Sequence, residues 1–382
     1  MLKSILILLV IWSQTNAGLH RDDVTEGTEL IMSFLIHRHG DRTPVESTVS
    51  YSTDVEALEA LTAPYGYGQL TLPGKRSAYR LGQHIRQRYN ELLSPHYNRS
   101  EVYIRSTDIT RTKMTILTAL AAIYPPAGET WNPKLAWEPV PYTTVPVKYD
   151  FNMALNNCPV FDAAYQSQLF TSVPEVSAKM SNVLIALSNQ LGFDITNRPA
   201  LVFPIYDVYT SQRNLGLKLT PELEDIFGLI EEAASESIAL IFGLDEYIPL
   251  QAGVLLKEFY TYADLAISGE DTPRLRLYSA HDFNVYSFEA VTKVNRQGVP
   301  KYASAYTLEL RKVTSTGKYV VLPVYLPSPR EEVVYLQVEG CDVLCDYDQF
   351  VALTEGNSRD IDSWRDECGF TEDLVVDGSS ED

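Results

Sequence analysis

The run Ile31-Met32-Ser33-Phe34-Leu35-Ile36 is short, apolar and rich in β-favouring residues, and it predicts a buried strand. After Thr71-Leu72-Pro73-Gly74, the residues Ala78, Leu81, Ile85, Tyr89 and Leu92 recur at helical spacing, with arginines on the opposite face. Val102-Tyr103-Ile104 predicts a second strand, ending at Arg105-Ser106-Thr107-Asp108. Thr112 to Tyr124 is apolar nearly all round, the pattern of a buried helix, and Pro125-Pro126 halts it. Strand, helix, strand, helix predicts a parallel sheet with crossovers.

From about 155 to 265 the spacing is helical without convincing strands. Val176, Met180, Val183, Leu187 and Leu191 form one such series, and Leu223, Ile226, Ile230, Ala233 and Ile238 form another. A helical domain inserted into an α/β one is expected. The sheet resumes at Leu275-Arg276-Leu277-Tyr278, and Ala303 to Leu310 and Tyr319 to Leu326 resemble adjacent antiparallel strands. The expected division is 18–154, 155–265 as helical cap, and 266–382 ending in an acidic tail. No internal repeat, low-complexity tract or glycine-rich phosphate loop interrupts it.

Residues 1–17 open with Lys3, continue through apolar Ile5 to Trp12 and finish in Thr15-Asn16-Ala17, which predicts a signal peptide cleaved after Ala17. Its apolar stretch falls short of the ~20 residues that span a bilayer, so no stable membrane anchor is expected. Taking Lys3 from the 31 basic residues leaves 30 against 50 acidic ones, a net charge near −20. Such a surface repels nucleic acid and anionic lipid. Four cysteines permit three pairings; Cys341 and Cys345 are near enough to close a small loop, leaving Cys158 for Cys368. Metal ligation is the rival use, but no histidine lies near any cysteine. Asn98-Arg99-Ser100 is a glycosylation sequon.

Against this acidic background the heptad Arg38-His39-Gly40-Asp41-Arg42-Thr43-Pro44 stands out. It follows the first strand, where open α/β sheets place ligands, and sets an imidazole between two guanidiniums whose planar forks match phosphate oxygens. Gly40 is read as letting backbone approach a ligand closely. Arg105 follows the second strand in the same way, and reads either as a third guanidinium in the pocket or as a solvated loop arginine. Tyr278-Ser279-Ala280-His281-Asp282 ends the later strand likewise. His281 and Asp282 bring a second imidazole and a carboxyl, unless they are a buried structural histidine and a helix cap.

Arg38 to Pro44, Arg105-Ser106-Thr107-Asp108 and His281-Asp282, in that order, resemble the signature elements of the histidine acid phosphatases, most closely the animal branch with prostatic, lysosomal and insect venom members. The resemblance takes in Gly68-Gln69-Leu70-Thr71, Cys158-Pro159, Gly253-Val254-Leu255 and Gly340-Cys341 with Cys345. It implies an α/β, phosphoglycerate mutase-like fold: a mostly parallel sheet flanked by helices, with an inserted helical cap. It also implies no metal or other cofactor, a possible homodimer, and the pairs Cys158–Cys368 and Cys341–Cys345. By resemblance His39 is the nucleophile that becomes phosphohistidine, and Arg38, Arg42 and Arg105 bind phosphate. His281 is the second phosphate-contacting histidine, and Asp282 the proton donor.

The implied activity is a secreted acid phosphatase, with the lysosomal lumen as the other compartment, acting on small-molecule or protein phosphate monoesters. The arginines disfavour protonation of His39, which keeps it nucleophilic in acid, and a bound dianion favours a proton on Asp282. Two departures mark the chain: Phe283 stands where relatives usually carry a small polar residue, and one disulfide of mammalian members is absent. The competing expectations are a phosphomutase or bisphosphatase of the same superfamily, or a secreted venom or binding protein with incidental activity.

Overall fold

A computed structural model describes residues 24–128, 130–295 and 298–376. The expected signal peptide and the tail from Asp377 lie outside the described residues. Strands β1 (Thr28–Arg38), β2 (Val102–Thr107), β3 (Thr143–Val145), β4 (Leu275–Ala280), β5 (Ala305–Val313), β6 (Tyr319–Leu326), β7 (Val334–Tyr335) and β8 (Cys345–Asp346) form one sheet. Their order is β3-β2-β4-β1-β5-β6-β7, with β8 pairing β6. The sheet is mixed. β3, β2, β4 and β1 run parallel, and β5 and β6 add antiparallel, as the pattern of those two segments predicts.

Alternation along β1 divides the core. Met32, Phe34 and Ile36 enter one buried cluster and Leu30 and Leu35 the other, because successive strand side chains point to opposite faces. Helices α1 (Leu72–Arg88) and α2 (Thr110–Ile123) cover the Leu35 face with Leu81, Ile85, Ile116 and Leu120. A separate helical core joins α3 (Ser181–Leu191), α4 (Val202–Asn214) and α5 (Phe227–Phe242) through Val183, Leu187, Ile205, Val208 and Ile230. The helix α6 (Ile248–Ser268) is different: Leu255 and Phe259 share the core of Phe34 and Tyr278, so this helix packs on the sheet. With α7 (Asp282–Val291) it covers the Phe34 face.

Disulfides join Cys158 to Cys368 and Cys341 to Cys345, with Cα–Cα separations of 4.7 and 5.5 Å. No helix among the described residues is long and apolar enough to cross a membrane.

Candidate active site

Parallel register brings three strand ends to one edge of the sheet. Arg38 lies opposite Ala280, Ser106 lies opposite Ser279, and the His39 N–H donates to the Ala280 carbonyl at 3.0 Å. The chain leaves β1 through a tight passage: a Cβ on Gly40 would lie 2.4 Å from the Gly74 carbonyl oxygen, and one on Gly74 2.0 Å from that of Asp41. Gly40 therefore admits the start of α1 rather than a ligand. Its N–H donates to Thr115 Oγ1 of α2 at 3.1 Å, which fixes the loop between both helices.

His39 is 2% exposed. Its Nδ1 lies 2.8 Å from the Gly40 carbonyl, which can only accept, so Nδ1 carries the proton and Nε2 keeps its lone pair. Burial first, then the charges of Arg111, Arg38 and Arg42, hold His39 well below the ordinary histidine range. His281 is depressed by burial and the same three arginines. The two rings sit 5.5 Å apart. Arg111 Nη2 faces His281 Nδ1 at 3.4 Å, and His281 Nε2 lies 3.1 Å from Thr107 Oγ1. An arginine can only donate, so His281 Nε2 bears the hydrogen and Thr107 accepts it. Thr107 Oγ1 in turn meets Thr112 Oγ1 at 2.8 Å, and the Thr112 hydroxyl donates to the carbonyls of Thr107 and Ile109. Phe283 stacks on His281 at 5.1 Å and on Phe242 of α5 at 5.8 Å, and so packs this imidazole against the helical region.

Arg38 is held from several sides. It donates to the Pro300 carbonyl at 2.7 Å, pairs with Asp282 at 2.7 Å and Asp207 at 3.2 Å, and lies 4.0 Å from the Tyr302 ring centroid. Arg42 pairs with the other Asp207 oxygen at 2.7 Å. Asp207, from α4, thus clamps both arginines with one carboxylate. Burial pushes its carboxyl up, but Arg42 and Arg38 outweigh that and hold it below the usual range. Asp282 also accepts from the Phe283 N–H at 2.8 Å at the head of α7.

Arg105 is not brought into this cluster. β2 extends through Thr107, so Arg105 is an interior strand residue whose side chain leaves from the face of the sheet rather than its end. It pairs with buried Asp150 at 2.6 Å and lies 4.4 Å from the Phe151 ring centroid. The third guanidinium beside the histidines is Arg111, which the sequence reading passed over. Its Nε and Nη1 are buried without a hydrogen-bond partner, and burial followed by Arg42 lowers it to about 9. One signal was available. A cation in the first turn of a helix opposes the macrodipole, so Arg111 at the start of α2 needs an anion to justify it. Asp207 carried no local signal, since only tertiary packing brings α4 to the strand ends.

A mixed sheet that gathers imidazoles, guanidiniums and a carboxyl at its strand ends is the architecture of a phosphate-handling α/β enzyme. Residues 29–322 match the model of the histidine phosphatase superfamily (branch 2). The chain belongs to that family and is a phosphatase. It is 31% identical to bovine (Bos taurus) prostatic acid phosphatase, covering 97% of this chain and 96% of that one. It is 32% identical to human (Homo sapiens) lysosomal acid phosphatase, covering 90% and 81%. Among solved structures, the phytase from Citrobacter braakii shares the fold with a TM-score of 0.62 at 14% identity, covering 89% of this chain and 99% of that one.

Proposed function

We propose that the protein is a secreted acid phosphatase that hydrolyses phosphate monoesters through a phosphohistidine on His39. The observation that carries the reading is a neutral, buried His39 whose free Nε2 shares a pocket with Arg111, a guanidinium with unpartnered donors. Arg38, Arg42 and Arg111 supply the charge that stabilises three equatorial phosphoryl oxygens, with His281 beside them. Arg111 takes the place that the family resemblance gave to Arg105.

Nε2 attacks phosphorus, the ester bond breaks, and the leaving alkoxide takes a proton from Asp282. Water then attacks the phosphohistidine with Asp282 as base, releasing phosphate and restoring His39. The charges suit these steps. Three guanidiniums against Asp207 and Asp282 leave one net positive charge, and a phosphate dianion reverses it until Asp282 takes up a proton. A nucleophile that stays neutral in acid and a donor that must be protonated together favour turnover below pH 7.

The helical region from Pro159 to Phe242 serves as the cap in this reading, with α6 assigned to the sheet layer. Two disulfides suit passage through an oxidising compartment, and exposed Asn98 is available for glycosylation.

The test is trapping. Enzyme mixed with p-nitrophenyl phosphate and quenched in alkali, where phosphohistidine survives, is digested and analysed by mass spectrometry. The phosphoryl group is expected on the His39 peptide and absent in His39→Ala. Full turnover by His39→Ala, or label on another residue, would overturn the assignment. Release of inorganic phosphate rather than transfer to a second alcohol separates a phosphatase from a mutase.

A further inference from the structure

Beside the catalytic pocket lies a second cavity of about 380 Å³, lined by Arg76, Ser77 and Arg80 of α1 and by Ser328 and Arg330 from the segment after β6. It shares Asp41 and Tyr302 with the cavity that reaches Arg38 and Asp207. Three guanidiniums on one cavity are unusual in a chain of formal net charge −19, which has carboxylates to spare. Elsewhere Arg38, Arg42, Arg88, Arg105, Arg213, Arg311 and Arg359 each have a carboxylate partner. Among the described residues, Arg76, Arg80 and Arg330 have none; Arg86, Arg99, Arg111, Arg198, Arg274, Arg276 and Arg365 also lack one, so what sets the three apart is that they line one cavity together. Arg76 and Arg80 are also one helical turn apart, a like-charge spacing that costs helix stability.

The floor of the cavity carries a further sign. Tyr302 is 7% exposed, and its hydroxyl has no hydrogen-bond partner. It offers a buried O–H donor between the two cavities, and its ring already carries Arg38. The wall includes one carboxylate, Asp41, but both its oxygens are engaged, by Asn214 at 3.0 Å and Ser77 at 2.7 Å. Those neutral donors turn the Asp41 oxygens away from a ligand but leave its charge, so the lining carries three guanidiniums against one carboxylate, two net positive charges.

We propose that this cavity binds a second phosphate group carried by the leaving alcohol, so that the preferred substrates are bisphosphorylated monoesters. The proposal rests on the catalytic reading above, with the scissile phosphate at His39 and the second phosphate held by Arg76, Arg80 and Arg330.

The test compares p-nitrophenyl phosphate, fructose 6-phosphate and fructose 1,6-bisphosphate as substrates of the wild type and of the Arg76→Gln/Arg80→Gln/Arg330→Gln variant. Loss of charge-assisted hydrogen bonds to one phosphate is expected to raise KM for the bisphosphate roughly tenfold or more. The two monophosphates should change by less than about twofold, because steering by exposed charges is screened at physiological salt. An equal change for all three substrates would reduce the arginines to a diffuse field, and no change for the bisphosphate would remove the site. Failure of the wild type to release phosphate from p-nitrophenyl phosphate would strike the catalytic reading instead. Calorimetric titration of fructose 1,6-bisphosphate into both proteins then still decides the cavity: tighter binding to the wild type supports it, and equal or absent binding overturns it.

Discussion

Arg105 and Arg111 lie six positions apart on the same strand-to-helix unit, and both have buried side-chain nitrogens, yet their surroundings are opposite. Arg105 sits within β2 with Asp150 at 2.6 Å and the Phe151 ring beneath it. Arg111 opens α2 with two nitrogens unpartnered, beside two neutral imidazoles. A buried guanidinium with its own carboxylate is already neutralised and serves the fold. Arg111 has no carboxylate partner and two unpartnered nitrogens, which leaves it for an anion that comes and goes. Arg38 and Arg42 share Asp207 and Arg38 also pairs with Asp282, so with Arg111 three guanidiniums face two carboxylates and the cluster stays only partly neutralised.

The sharpest break in this comparison should come from Arg111→Ala. Removing one preorganised donor from a developing charge is expected to lower kcat/KM by roughly 10²–10³. Thermal stability should hold or rise, since an unpaired buried charge is removed; a stable variant with unimpaired turnover would contradict the account. Arg105→Ala should show the reverse. Stranding the Asp150 charge is expected to cost about 3–5 kcal/mol of stability in denaturant unfolding. Activity per folded molecule should stay near wild type. The Arg105→Met/Asp150→Asn double variant should recover part of the loss, which a catalytic Arg105 would not allow.

Much of this was legible beforehand. The apolar run of β1, the one-sided stripe of α1 and the near-continuous apolar surface of α2 appear with boundaries within a few residues, because each faces a core that demands its pattern. The apolar run of β2 stops at Ile104 while the strand runs on to Thr107, and those three residues make an interior side chain read as a site residue. α6 reads as part of the cap because its apolar surface matches that of any buried helix; only contact with Phe34 and Tyr278 reveals its partner. β3 is short and largely exposed, so no apolar period marks it. His39, His281 and Asp282 could be read because each is tied to a strand end. Asp207 could not, because the contact that matters spans more than 160 residues of chain.

Two smaller effects sharpen the contrast. Asp207→Asn keeps the shape of the clamp but removes its charge, so Arg38 and Arg42 should grip phosphate more firmly. Inorganic phosphate should then inhibit at concentrations several-fold lower, on the order of 1 kcal/mol in affinity, measured from competitive inhibition. Unchanged inhibition would show that the Asp207 charge does not restrain the arginines. The last effect concerns pH. His39 must be neutral to attack, and its depressed value keeps it so in acid. Arg111→Gln removes the largest charge acting on it, so His39 should titrate higher. The acid limb of kcat/KM should move upward by up to about one pH unit. Arg105→Gln should leave that limb in place, and movement of both limbs together would show that the two arginines act on His39 alike.

The most direct measurement is the inhibition constant of inorganic phosphate for the wild type, Arg111→Gln and Arg105→Gln at one acidic pH and ionic strength. Arg111→Gln should raise it roughly tenfold or more, the worth of charge-assisted hydrogen bonds to the anion, while Arg105→Gln leaves it within about twofold. Equal weakening by both, or weakening by Arg105→Gln alone, would contradict a phosphate pocket built on Arg38, Arg42 and Arg111 around His39.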